Sequence, residues 1–195
     1  MYKEYKTIGN TTTTIKGKDK KSYQCWSNML KRCYNKNVHN KQPTYKDCSV
    51  CNEWLCYANF EQWYDENYYE IEGERIELDK DILLKGNKVY SPITCIFVPQ
   101  RINTLFTKSN RKRGKYPIGV VLLHKNKIKP NRYKAECKIN GKLFHVGTYA
   151  SISEAFQAYK QYKEKEIKRI ADEYKNKIPQ KLYDALYAYE VEITD

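Results

Sequence analysis

Apolar side chains recur at Trp26, Met29, Leu30 and Cys33, the i, i+3, i+4, i+7 spacing of one helix face. A second stripe, Trp54, Tyr57, Phe60 and Tyr64, runs through "CNEWLCYANFEQWYDENY" and predicts another helix. Aromatic residues at that spacing are read as core. The period then changes to two. Ile76, Leu78, Lys80 and Ile82 point one way along a predicted strand, and Glu77, Asp79 and Asp81 the other. "KGN", Lys85 to Asn87, is a turn, because Gly and Asn tolerate positive φ. "TCIFV" follows as a second short strand, and Pro99 suits a first helical turn, with Ile102, Leu105 and Phe106 facing inward. The segment therefore reads strand, turn, strand, helix.

Beyond Pro117 the texture shifts to three strand candidates, "IGVVLLH", "RYKAECKI" and "KLFHVGTYA", the last two joined by the hairpin pair Asn140-Gly141. Alternation places Ala135, Cys137 and Ile139 inward and Lys134, Glu136 and Lys138 outward; Phe144 and Val146 face in and His145 out. A long helix starts at Ser151 or Ser153, with Ala155, Phe156, Tyr159 and Tyr162 on its buried stripe. Pro179 breaks the chain before a last short helix, "LYDALYAY". The expected fold class is α+β. Its parts are a basic, loosely docked arm (1–20), a first module (21–110), a basic linker (111–116), a second module (117–176) and a helical tail (177–195).

Composition sharpens this picture. The 195 residues carry 36 Lys+Arg against 23 Asp+Glu, a net charge of +13, which points to a polyanionic partner, although a generically basic protein also fits. The seven cysteines are an odd number and no signal peptide precedes them, so reduced thiols in the cytoplasm are expected. No apolar run nears the roughly 20 residues of a membrane span. Cys48-x2-Cys51 lacks a second pair at zinc-binding spacing and reads as buried thiols rather than a structural zinc site.

Residues Cys25 to Lys108, through "WSNMLKRCYN", "YKDCSVCNEW", "NFEQW" and above all "LDKDILLKGNKVYSPITCIFVPQRIN", resemble the HNH (His-Me finger) nucleases of phages and mobile elements. The resemblance implies a ββα-metal module clasping Mg²⁺ or another divalent cation. Asp79 and Asn103 become metal ligands, Asp81 an assisting carboxylate, and Asn87 the loop amide that holds the backbone. The general-base histidine of that family is replaced by Lys80, which is protonated at neutral pH unless strongly buried. Three functions stay open: a DNA endonuclease with Asp79, Lys80, Asp81, Asn87 and Asn103 at its centre, an inactive relative, or a purely structural or assembly role. The inactive relative would bind nucleic acid or a protein, for instance as a phage inhibitor of a host defence nuclease.

Residues Pro117 to Tyr174, through "IGV", "RYKAECKINGK" and "FHVGTYASISEAFQAY", resemble the plant ethylene-response-factor DNA-binding domain. That resemblance implies a three-stranded antiparallel sheet packed on one helix and laid into the major groove of duplex DNA. Candidate DNA contacts are Lys134, Lys138, Lys142 and His145 there, with Arg32 and the cluster Lys108, Arg111, Lys112 and Arg113 holding the backbone. The first strand, "GVVLLHKNK", is apolar where plant members carry base-reading arginines.

Overall fold

A computed structural model describes residues 6–106, 115–123, 132–193 and 195. The fold is α+β, and its internal contacts divide it into two compact units, Met1–Val98 and Pro99–Asp195.

In the first unit, β1 (Thr14–Ile15) and β2 (Lys18–Asp19) form a small hairpin ahead of α1 (Lys21–Tyr34). The predicted face of α1 is the buried one: Trp26, Met29, Leu30 and Cys33. Asn35 caps α2 (Lys36–Lys41), its side chain accepting from the amides of Asn37 and Val38. β3 (Ser49–Val50) pairs in parallel with β5 (Val89–Tyr90), and β4 (Ile76–Asp79) pairs with β6 (Ile96–Pro99).

The predicted second helix arrives in two pieces, a 3-10 turn (Asn52–Leu55) and α3 (Tyr57–Asn67), with Cys56 extended between them. The N-terminal arm explains the break. Thr7 donates its amide to the Leu55 carbonyl at 3.1 Å and accepts the Tyr57 amide at 2.7 Å, pinning Cys56 in a bridge. The stripe survives the interruption: Trp54, Tyr57 and Phe60 are fully buried and Tyr64 nearly so. Rings pack edge to face across it, Trp54 on Phe60 at 5.0 Å and Tyr64 on Phe97 at 5.1 Å, and the Trp26 indole donates to the Trp54 carbonyl at 2.6 Å.

The expected loose docking of the arm is corrected over residues 6–20. Thr11 Oγ1 and Lys20 Nζ both donate to the Glu61 carboxylate, at 2.5 and 2.8 Å, and the Tyr57 hydroxyl joins them at 2.7 Å. Burial alone would raise the Glu61 pKa; these donors more than offset it and hold the carboxyl below its usual range.

The second unit opens with α4 (Gln100–Asn103) and a 3-10 turn (Thr104–Phe106), in which Ile102 and Leu105 are buried. Its sheet runs β7 (Val120–Leu122), β8 (Tyr133–Ile139), β9 (Lys142–Tyr149), antiparallel throughout. Gly119, at φ +74°, leads into it because any Cβ there would collide with the Tyr159 ring. Ala135, Cys137 and Ile139 are buried on the side of α5 (Ile152–Glu173). Ser151 and Glu154 close a reciprocal capping box at the start of α5. α6 (Gln180–Tyr187) follows Pro179 and buries Leu182 and Leu186. No helix among the described residues is long and apolar enough to cross a membrane.

Candidate metal and nucleic-acid sites

β4 ends at Asp79, and residues 80–84 bend away before the turn through Lys85 and Gly86. Asp79 itself ends the strand. Its Oδ1 accepts the backbone amides of Asp81 at 2.8 Å and Ile82 at 2.7 Å, a side-chain turn that competes with further sheet pairing. The expected shared strand face of Asp79 and Asp81 is therefore corrected: Asp81 lies past the strand and is exposed. Leu78, Lys80 and Ile82 are buried, so the inward half of the alternation persists into the bend.

Asn87 cross-links this bend. Its amide nitrogen donates to the carbonyls of Lys80 and Val89, each at 2.7 Å, while its Oδ1 accepts the Val89 amide at 3.2 Å. The Leu84–Asn87 turn closes through the Asn87 amide at 3.0 Å, with Gly86 at φ +80°. One side chain thus staples both ends of the connection between β4 and β5.

Lys80, 6 % exposed, turns inward. Its Nζ donates to Asp81 Oδ2 and to the Asn87 carbonyl, both at 3.1 Å, and stands 5.9 Å from the centre of the Tyr90 ring. Burial opposes its charge, but the Asp81 carboxylate outweighs burial and raises its pKa above the ordinary lysine range. Lys80 keeps its proton at neutral pH and cannot accept another. Asp79 is in the opposite condition. Burial first, then the charge of Asp81, push its carboxyl up to about 6, although two backbone amides favour the ionised form. No hydrogen bond from a described residue reaches its second oxygen.

A carboxylate that is desolvated and beside a like charge gains from a hard cation, and Mg²⁺ takes such oxygen donors while keeping several waters. Asp79 fits that role; Asp81 is partly neutralised by Lys80. Asn103, the expected helix ligand, ends α4 and is half-buried within the second unit. Among the described residues no group of three or more His, Cys, Asp or Glu could hold a metal. Cys48 is buried, its thiol donating to the Thr44 carbonyl at 3.8 Å, and burial pushes the thiols of Cys25, Cys33 and Cys95 up to about 12.

The basic candidates divide. Arg32 is half-buried, its guanidinium 5.6 Å from the Tyr45 ring centre, with His39 Nε2 donating to its carbonyl at 2.9 Å. Lys108, Arg111, Lys112 and Arg113 lie outside the described residues. On β8 and β9, Lys138, Lys142 and His145 are exposed, while Lys134 forms an ion pair with Glu136. His145 Nε2 stands 3.5 Å from Thr148 Oγ1.

Two features escaped the sequence reading. The first is the Asp79 turn, whose signal was an Asp followed by two residues able to offer their amides. The second is Val121 and Leu143, 48 % and 63 % exposed on the sheet surface turned away from α5. Compared with known proteins, the chain matches no family model, no curated protein and no solved structure.

Proposed function

We propose that this chain, from a phage or mobile element, binds duplex DNA and carries an HNH-like finger that hydrolyses phosphodiester bonds with a divalent cation held at Asp79. The observation that carries this reading is the Asn87 staple. An amide side chain bonded to both ends of the loop is what fixes a carboxylate-bearing strand end against the pull of a bound ion. The half-buried Asp79, raised to about 6 and with one oxygen committed to the backbone, supplies the anionic partner such an ion needs. A bound Mg²⁺ would polarise the phosphate and lower the pKa of a coordinated water, which is the chemistry a missing histidine leaves to the metal. Lys80 takes no proton in this scheme; it holds the Asn87 carbonyl and neutralises Asp81. The outer surface of β7–β9, with Lys138 and His145 exposed on it and Lys142 exposed at the hairpin end, supports docking on the duplex.

A second reading is a catalytically inactive factor that binds DNA or occupies a host nuclease. One observation favours it: the residue beside Asp79 is a buried, inward-bonded ammonium. Incubating supercoiled plasmid with Mg²⁺ or Mn²⁺ separates the two. Cleavage by the parent, lost in Asp79→Ala while DNA affinity is retained, is the expected result. Identical traces for both proteins would establish the inactive factor.

A further inference from the structure

The sheet surface facing away from α5 has a composition that DNA docking alone does not account for. Pairing places Val121 beside Lys134, Lys134 beside Thr148, Glu136 beside His145 and Lys138 beside Leu143. Directly paired residues share a surface, and it is opposite to the one where Ala135, Cys137 and Ile139 are buried. A bulge at Ala135/Glu136 lets His145 and Thr148 both belong to it. The polar centre is largely self-satisfied, since Lys134 pairs with Glu136 and His145 neighbours Thr148. Among the described residues this surface leaves Val121 and Leu143 48 % and 63 % exposed, with Leu123 less so at the end of β7, and Arg132 and Lys138 exposed around them.

Among the described residues, no long forked donor that would read guanine lies in the middle of this surface. Apolar groups reaching a major-groove floor have one complementary feature there, the C5-methyl of thymine. We infer that this sheet selects thymine-bearing duplex DNA, with Val121 and Leu143 each covering a thymine methyl while the surrounding cations hold phosphates. The inference rests on the DNA-binding reading above and adds to it the base that is read. Val121 and Leu143 lie one strand to either side of β8, at positions opposite Lys134 and Lys138. Strand spacing and rise separate them by about 16 Å. At about 3.4 Å per base step, the two methyls lie no more than about five base pairs apart. The cationic surroundings favour a duplex over an apolar protein partner as the occupant.

The test uses the full chain and two fluorescent 25-base-pair duplexes of alternating adenine and thymine, one with every thymine replaced by uracil. Uracil removes the methyl and leaves every hydrogen-bonding edge unchanged. Anisotropy titrations should show tighter binding to the thymine duplex, by about fourfold for each methyl covered. In the double variant Val121→Thr with Leu143→Gln, that preference should vanish while affinity for the uracil duplex stays. Both positions are exposed, and matching thermal unfolding of variant and parent verifies that the fold is intact. Equal binding to both duplexes by the parent overturns methyl readout and leaves the DNA reading standing. Absence of binding to either, even at low salt, overturns both. Equal loss on both duplexes in the variant, or a dimeric parent that the variant makes monomeric, shows the apolar pair serving another purpose and overturns the inference.

Discussion

Asp79 is a carboxylate held where its charge is costly, and this has a measurable sign. A folded-state pKa of about 6, above the ordinary value, means that ionising Asp79 costs more in the fold than in the unfolded chain. Without a divalent cation, its contribution therefore falls as pH rises from about 4 to about 6 and stays unfavourable above that. Asp79→Asn keeps an oxygen for the Asp81 and Ile82 amides and removes the charge. We expect it to stabilise the protein by about 1–3 kcal/mol at pH 7.5 and hardly at all near pH 4, measured by urea unfolding without divalent ions. Equal effects at both pH values would contradict this account. Glu61 runs the other way: its lowered pKa gives stability that is full at neutral pH and is lost as pH falls through the folded value. The sequence made Asn87 legible as a turn residue. It did not reveal that Asp79 would spend one oxygen on its own backbone, because that bond depends on how the chain bends after the strand.

At the level of elements, period carried most of the information. The buried faces of α1 and β8 follow their spacing, since one side of each meets a core and the other meets water. Spacing misled where a long-range bond intervened. The stripe from Trp54 to Tyr64 read as one helix because the Thr7 bonds that hold Cys56 extended come from a segment about 50 residues earlier. The pairing of Ser49–Val50 with Val89–Tyr90 was illegible for the same reason: two-residue strands have no period of their own. Likewise Phe144, predicted inward, keeps 40 % of its surface exposed near the hairpin tip, its ring 6.3 Å from Tyr162. α5 offers the cleanest local test. Ser151→Ala removes the acceptor of the Glu154 amide, and we expect a loss of about 1 kcal/mol, or a fall in Tm of about 2–4 °C, by calorimetry. An unchanged Tm would mean that packing, not the cap, sets the start of this helix.

Over the whole molecule, the excess of 13 positive charges governs how it meets a polyanion. Each phosphate neutralised releases counterions, so affinity for duplex DNA should fall steeply with salt. Two neutralised phosphates already give about a tenfold loss between about 50 and about 200 mM. A flat response in filter-binding titrations would instead favour a protein partner. Charge was legible from composition; the surface that presents it was not, because it depends on strand register. The N-terminal arm has a different bearing on the whole. Residues 6–20 precede Leu55, Tyr57 and Glu61, which hold them, by up to 50 residues. This segment must wait for α3 before it can settle, and it docks as a latch that only the formed helix can catch.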